Sequence, residues 1–303
     1  MTSKLAKVTL GVVSLLICGV LSCGKQEESK KVEEAAVKPA AESPLTICLG
    51  GIITPKRGTI YYHQLLDYIG KKINRPVKTV EGITYQEINN LLKLGQADAG
   101  FVCAGPYVDG HNEFGLELLV APQTNGQTVY YSYIIVPKDS PVKSFAELRG
   151  KTFAFTDPNS NSGKLVPTYM LAKMKETPDS FFKKYIFSYA HDKSIELVAQ
   201  GMVDGAAVDS LIWEYDNQFQ PENTSRTKII EKSDPYGIPP ITVRKDLDAE
   251  TKEKLRQAFL NMHSDPEGQS ILKNMLIDKF VVVNDNLYDS IRQIQTFIDA
   301  QKK

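Results

Sequence analysis

The chain has 303 residues, enough to bury a large core and to form about two domains. Its 36 Lys and Arg balance its 36 Asp and Glu, so no net charge draws it to nucleic acid or to an acidic membrane surface. A hydrophobic share of 42% is that of an ordinary globular protein.

Residues 1–22 are expected to lie outside the fold. Lys4 and Lys7 precede an apolar run, Val8 to Leu21, of signal-peptide length and too short for a comfortable membrane span. The run ends in Val20-Leu21-Ser22-Cys23, which resembles the bacterial lipobox and makes Cys23 the expected lipidation site. A Val stands where Leu is usual at the first position. Residues 23–44 are rich in Glu, Lys and Ala and have little to bury, so they read as a disordered tether. A flexible chain of that length spans on the order of 25 Å. The globular part is expected to start near Leu45 and to be held close to a bacterial membrane on its periplasmic side.

From Leu45 the pattern alternates. Leu45 to Leu49 reads as a strand that ends in glycines, and Tyr61, Leu65, Tyr68, Ile69 and Ile73 form a helical stripe. Pro76 to Val80 is a second strand. Tyr85, Ile88, Leu91 and Leu92 mark a second helix, stopped by Gly95. Strands follow at Ala97–Cys103 and Leu116–Ala121, then a long one at Tyr130–Pro137. The pattern then restarts. Phe145–Leu148 is a short helix, Thr152–Phe155 a strand and Tyr185–Tyr189 another. Ile195, Val198, Ala199 and Met202 lie on a helix, and Gly205–Asp209 ends a strand. Ile238–Arg244 is a second long strand, and helices carrying Leu255, Phe259, Met262, Ile291, Ile294 and Ile298 complete the chain.

Alternating strands and helices imply parallel sheets with helices on both faces. We read two α/β lobes, residues 45–133 with 240–303 and residues 134–239, joined by two crossings. The ligand then sits in the cleft between the lobes, outside the carboxyl ends of the strands. Cys48 and Cys103 lie in apolar, strand-like runs. A disulfide between neighbouring strands and two buried thiols both fit, the second slightly better. No CxxC and no zinc-type Cys/His spacing occurs.

The run Asp157-Pro158-Asn159-Ser160-Asn161-Ser162-Gly163 separates the Thr152–Phe155 strand from the helix that starts near Leu165. A strand that breaks there leaves several backbone N–H groups unpaired at a helix N-terminus, where the dipole attracts an anion. Ser160, Ser162 and Asn161 can add side-chain hydrogen bonds. A simple helix cap at Ser160 or Ser162 is the alternative.

That run, with Ser140–Phe155 before it and Leu165-Val166-Pro167 after it, resembles the phosphonate/phosphite/phosphate-binding branch of periplasmic solute-binding proteins, the PhnD-like family. Ala190-His191-Asp192 and Val198–Ala206 match the same branch. The resemblance implies a two-lobed type II binding-protein fold with two crossover strands. It implies a small anionic ligand and an ABC permease as partner; with the lipobox at Cys23 and no metal-ligand spacing, the expectation is a lipid-anchored periplasmic monomer with no cofactor, no metal and no catalytic residue. In that family a Ser-Thr-Ser turn, tyrosines and a histidine hold the phosphonate head. The turn maps to Ser160, Asn161 and Ser162, with Asn161 in place of the usual Thr. The histidine maps to His191, and Tyr85 and Tyr130 fall where ligand tyrosines lie. Tyr107 and Asp209 join the candidates because each stands at a strand end facing the cleft. Core packing for Tyr107 and helix capping for Asp209 remain equally open.

Relatives that bind 2-aminoethylphosphonate carry two acids for its ammonium, and the matching positions here are Leu211 and Pro239. An uncompensated ammonium in a closed cleft is costly, so the expected ligand is phosphate, phosphite or a simple alkylphosphonate. Asp209 and Asp234 could substitute if the alignment shifts. A ligand-sensing partner of a membrane sensor kinase is the rival reading. No nucleophile elbow and no Ser-His-acid spacing supports an enzyme.

Overall fold

The computed structural model describes residues 43–50 and 55–301. The expected signal segment, the Cys23 site, residues 23–42 of the expected tether and the glycine-rich turn at Gly51 and Ile52 lie outside the described residues. No helix among the described residues is long and apolar enough to cross a membrane.

The first half follows the expected alternation: β1 (Leu45–Leu49), α1 (Pro55–Ile73), β2 (Val77–Glu81), α2 (Tyr85–Lys93), β3 (Ala99–Phe101), α3 (Ala104–Phe114) and β4 (Glu117–Gln123). Period sets each element. Leu65, Tyr68, Ile69 and Ile73 recur at three and four and bury one face of α1 against the sheet. Thr84 and Glu87 form a capping box that starts α2, the Thr84 hydroxyl accepting from the Glu87 N–H at 3.2 Å. The chain leaves α2 through Gly95 at φ 66°, a left-handed conformation that glycine adopts without strain. Sequence periodicity gave no sign of α3, whose glycines and Pro106 mask its stripe.

Two short strands, β5 (Val129–Tyr130) and β6 (Ser132–Pro137), replace the single long strand expected at Tyr130–Pro137. The second half contains β7 (Thr152–Phe155), α4 (Val166–Lys173), α5 (Pro178–Phe181), β8 (Lys184–Phe187), α6 (His191–Ala199), β9 (Gly205–Asp209), α7 (Ser210–Phe219) and β10 (Thr227–Lys232). Then come β11 (Tyr236–Gly237), β12 (Ile241–Val243), α8 (Ala249–Leu260), α9 (Pro266–Asn274), β13 (Lys279–Val281) and α10 (Asp289–Gln301). Met202 departs from its expected helical position. It lies beyond α6 and is 65% exposed, because Gly201 at φ 69° turns the chain first.

Two lobes result. The larger is built on a six-stranded sheet in the order β13-β4-β12-β3-β1-β2, the smaller on a five-stranded sheet in the order β10-β6-β9-β7-β8. Neither is fully parallel, contrary to expectation. β12 runs antiparallel between β3 and β4, and β6 runs antiparallel to both β9 and β10. The cause is the double crossing: a strand entering from the other lobe runs against the strands beside which it inserts. Between the lobes β5 and β11 pair antiparallel, with Tyr236 opposite Tyr130. The larger lobe buries Leu255 and Phe259 of α8 with α1 on one face, and Ile88, Leu92, Tyr107, Tyr288 and Ile291 on the other. The smaller lobe is filled by a cluster of rings that includes Phe145, Phe153, Phe155, Phe181 and Phe182.

Candidate anion-binding site

The loop after β7 meets the start of α2 across the cleft. Asp157 Oδ1 accepts from the Asn159 N–H at 2.8 Å, which folds the loop on itself. Its Oδ2 accepts from the Tyr85 N–H in the opposite lobe at 3.2 Å. Beside it Asn159 Nδ2 donates to Gln86 Oε1 at 2.9 Å. The lobes are thus in direct contact on this side. Asp157 was not singled out from sequence as a site residue, though it sits in the distinctive loop.

Past Asn159 the chain makes a five-residue π-helical turn, Asn161–Leu165, before α4. Ser160 caps it, its hydroxyl accepting from the Gly163 N–H at 3.0 Å. Ser132 Oγ donates to the Ser162 carbonyl at 2.6 Å and fixes the turn to β6. Gly163 is required here: a Cβ would stand 2.5 Å from the Thr156 Cβ. The Ser162 hydroxyl is buried and has no hydrogen-bond partner. Asn161 Nδ2 donates to the Tyr130 hydroxyl at 3.0 Å, which leaves its buried Oδ1 unpartnered. The two ends of an amide exchange without steric cost, so Asn161 offers the cleft either a carbonyl or an NH2.

His191 opens α6 and is fully buried. Its Nδ1 accepts the Asp209 N–H at 2.9 Å. Thr156 Oγ1, 3.1 Å from the same nitrogen, donates to the Ala207 carbonyl at 3.2 Å. Nδ1 is therefore the acceptor, and the proton of the neutral ring lies on Nε2. Burial pushes the imidazolium pKa down to about 3, so the ring stays neutral. Nε2 is buried without a partner.

Tyr85 is buried too, and its hydroxyl is unpartnered. Asp209 lies within electrostatic reach of the hydroxyls of Tyr62, Tyr85 and Tyr130 and of the Cys103 thiol. Burial raises its own carboxyl to about 7. It also caps α7, Oδ1 accepting from the Leu211 N–H at 2.7 Å. Both roles open from sequence, strand-end cleft residue and helix cap, thus coexist in one side chain.

Among the eight sequence candidates, Asn161 is hydrogen-bonded to Tyr130 and His191 to Asp209, Ser160 and Ser162 flank Asn161 in the turn, and Asp209 lies within electrostatic reach of Tyr85 and Tyr130. Tyr107 does not join them. Its hydroxyl donates to Asp285 Oδ1 at 2.6 Å, and its ring packs on Tyr288 at 4.7 Å between centroids. Thr156, which helps fix the histidine tautomer, had no sequence signal beyond its place at the end of β7. Cys48 and Cys103 are both buried free thiols. Burial raises them to about 12 and about 11. Among the described residues no cluster of His, Cys, Asp or Glu is arranged to hold a metal ion.

Four buried polar atoms of the candidate residues have no hydrogen-bond partner: Tyr85 Oη, Asn161 Oδ1, Ser162 Oγ and His191 Nε2. Unpartnered buried polar atoms are rare in folded proteins, and each calls for an occupant. Together with the double crossing, this defines a solute-binding protein of the type II periplasmic class. The chain belongs to the family described as "ABC transporter, phosphonate, periplasmic substrate-binding protein", whose model matches residues 54–288. It is 32% identical over 181 residues to the phosphonates-binding periplasmic protein of Escherichia coli, a match covering 58% of this chain and 53% of that protein. The chain thus spans about half the length of that curated relative. A binding-protein component of an ABC phosphonate transporter from Pseudomonas aeruginosa superposes with a TM-score of 0.81 at 25% identity, covering 86% of this chain and 88% of that one. PhnD1 from Prochlorococcus marinus, solved with methylphosphonate, gives 0.77 at 20% identity, over 84% of this chain and 98% of that one.

Proposed function

We propose that this chain captures a phosphorus oxyanion without an amino group and delivers it to the permease of an ABC importer. The candidates are phosphate, phosphite and a simple alkylphosphonate. The observation that carries this reading is that Tyr85 Oη, Ser162 Oγ, Asn161 Oδ1 and His191 Nε2 are all buried and unpartnered. Three are hydroxyl or N–H groups able to donate to an anion, and the fourth becomes one when the amide turns. The charge is met by dipoles alone, because none of these residues is Lys or Arg. Each charge-assisted hydrogen bond contributes about 1.5–3 kcal/mol, offset by ordering and desolvation. A few suffice for micromolar affinity, about −8 kcal/mol.

Donors from both lobes favour closure over the anion, a shift of population toward the joined form. Tyr85 comes from the larger lobe, Ser162 and His191 from the smaller. The preference against an ammonium is supported by Leu211 and Pro239, both apolar and both lining the cleft. The protein works as a monomer, tethered to the membrane through lipid on Cys23.

A thermal-shift screen tests the reading, because a ligand that binds only the native state raises the melting temperature. Phosphite or methylphosphonate should raise it more than 2-aminoethylphosphonate at equal concentration. A flat response to every phosphorus oxyanion overturns the assignment, and a dominant response to 2-aminoethylphosphonate overturns the preference.

A further inference from the structure

A cavity of about 1070 Å³ lies beside the anion-binding residues and shares Asp209 with them. It begins at Asp209, Ser210 and Tyr62, and continues between the lobes toward Lys273 and Asp278. That volume lies at the upper end of the roughly 300–1,000 Å³ of pockets that bury drug-sized organic ligands. Phosphite or methylphosphonate, each with only a handful of heavy atoms, would occupy a small corner of it.

The lobes touch at two places beside this space. On one side the Tyr85 N–H meets Asp157 at 3.2 Å and Asn159 meets Gln86 at 2.9 Å. On the other, Tyr61 of α1 stands edge-on to Tyr215 of α7, with ring centroids 6.0 Å apart. Tyr61 and Tyr215 of the second contact line the cavity.

Its walls have a definite chemistry. Tyr61, Tyr62, Tyr131, Tyr133 and Tyr215 all line it, from both lobes and from the crossing between them. Tyrosines offer broad apolar faces at low conformational cost and a polar tip that stays hydrogen-bonded. Tyr133 Oη already donates to Glu214 at 3.0 Å, and Lys232 lies 3.5 Å from the Tyr131 ring centroid. Several faces are thereby held in place before any ligand arrives. Such a wall suits a flat ring that can stack or meet ring edges. A flexible alkyl chain would gain less from it.

Resting on the oxyanion reading above, we propose that the site takes, beyond the small oxyanions, a phosphonate or phosphate monoester carrying a ring substituent. Its phosphorus head lies among Tyr85, Ser162 and His191, and its ring lies in the tyrosine-lined cavity.

Titration calorimetry with the full chain tests this, using phenylphosphonate and methylphosphonate as probes. Phenylphosphonate should bind at least about tenfold more tightly, the effect of burying one ring against aromatic walls. Tyr215→Leu should reduce phenylphosphonate affinity at least about fivefold more than methylphosphonate affinity, with an unchanged circular dichroism spectrum. Methylphosphonate binding as well as or better than phenylphosphonate overturns the ring proposal and leaves the oxyanion reading standing. So does a Tyr215→Leu variant that weakens both probes equally. If neither probe binds, the oxyanion reading fails, and the ring proposal with it.

Discussion

The backbone N–H of Asp209 donates to Nδ1 of His191 at 2.9 Å. This bond, with Thr156 beside it, makes Nδ1 the acceptor and leaves the proton on Nε2, which is buried and unpartnered. His191→Ala should weaken phosphite or methylphosphonate binding by about tenfold or more, the worth of one hydrogen bond to a charged group. His191→Gln, which can still present an NH2 group, should lose less, and calorimetry reads both. The sign of the pH effect also follows. The folded pKa is lowered from 6.5 to about 3, so below pH 6.5 the unfolded chain takes up a proton that the native state refuses. Stability falls as pH drops from about 6.5 toward 3. The His191→Gln variant should lack this part of the acid sensitivity.

Asp209 titrates in the opposite sense. Its folded pKa is raised from 3.8 to about 7, so the native state holds the proton more tightly, and stability is lost as pH rises from about 4 to 7. Asp209→Asn keeps an oxygen for the Leu211 N–H and removes the charge. The ligand-free variant should therefore gain in melting temperature over wild type at pH 8, by the equivalent of a few kcal/mol at most, and show little gain at pH 4. Equal differences at the two values would mean that Asp209 is ionised throughout.

Ser160 and Ser162 are two residues apart and have different tasks. The Ser160 hydroxyl caps a turn, whereas that of Ser162 has no partner. Ser160→Ala should cost about 1 kcal/mol of stability, as lost caps do. Ser162→Ala should leave the melting temperature nearly unchanged and weaken anion binding by about tenfold. Thermal melts and calorimetry on the two single variants separate the effects.

Two buried tyrosines make a matched control. Tyr85→Phe removes an unpartnered hydroxyl and should reduce ligand affinity with little loss of stability. Tyr107→Phe removes the donor to Asp285 and should lower stability by about 1 kcal/mol, with ligand affinity intact. A loss of affinity in Tyr107→Phe comparable to that in Tyr85→Phe would place Tyr107 in the site.

Much of this was legible in the chain. The stripe from Leu65 to Ile73, the capping box at Thr84 and the apolar β7 each follow from spacing among near neighbours. The loop from Asp157 to Gly163 stood out for the same reason, since Ser, Asn and Gly between a strand and a helix expose backbone donors whatever surrounds them. The break at Tyr131 did not show. Tyr130 and Ser132 belong to one continuous apolar run, and only their separate partners, Tyr236 and Asp209, split it into two strands.

The sequence by itself determined the alternation of strands and helices, the distinctive loop from Asp157 to Gly163 and the family. All of these depend on period and on residues adjacent in the chain. Only the tertiary structure decided which polar atoms were left over. Tyr107 and Tyr85 look equivalent in sequence, yet Asp285, 178 positions away, satisfies one hydroxyl and nothing satisfies the other. Cys48 and Cys103 stayed thiols because their sulfurs turn to the Ala99 carbonyl and to Tyr130 rather than to each other. Asp157 became the bridge between lobes only once α2 was folded against it. Hydrogen-bond partners and cavity walls are contributed by residues distant in sequence, and their positions are fixed only when both lobes have packed.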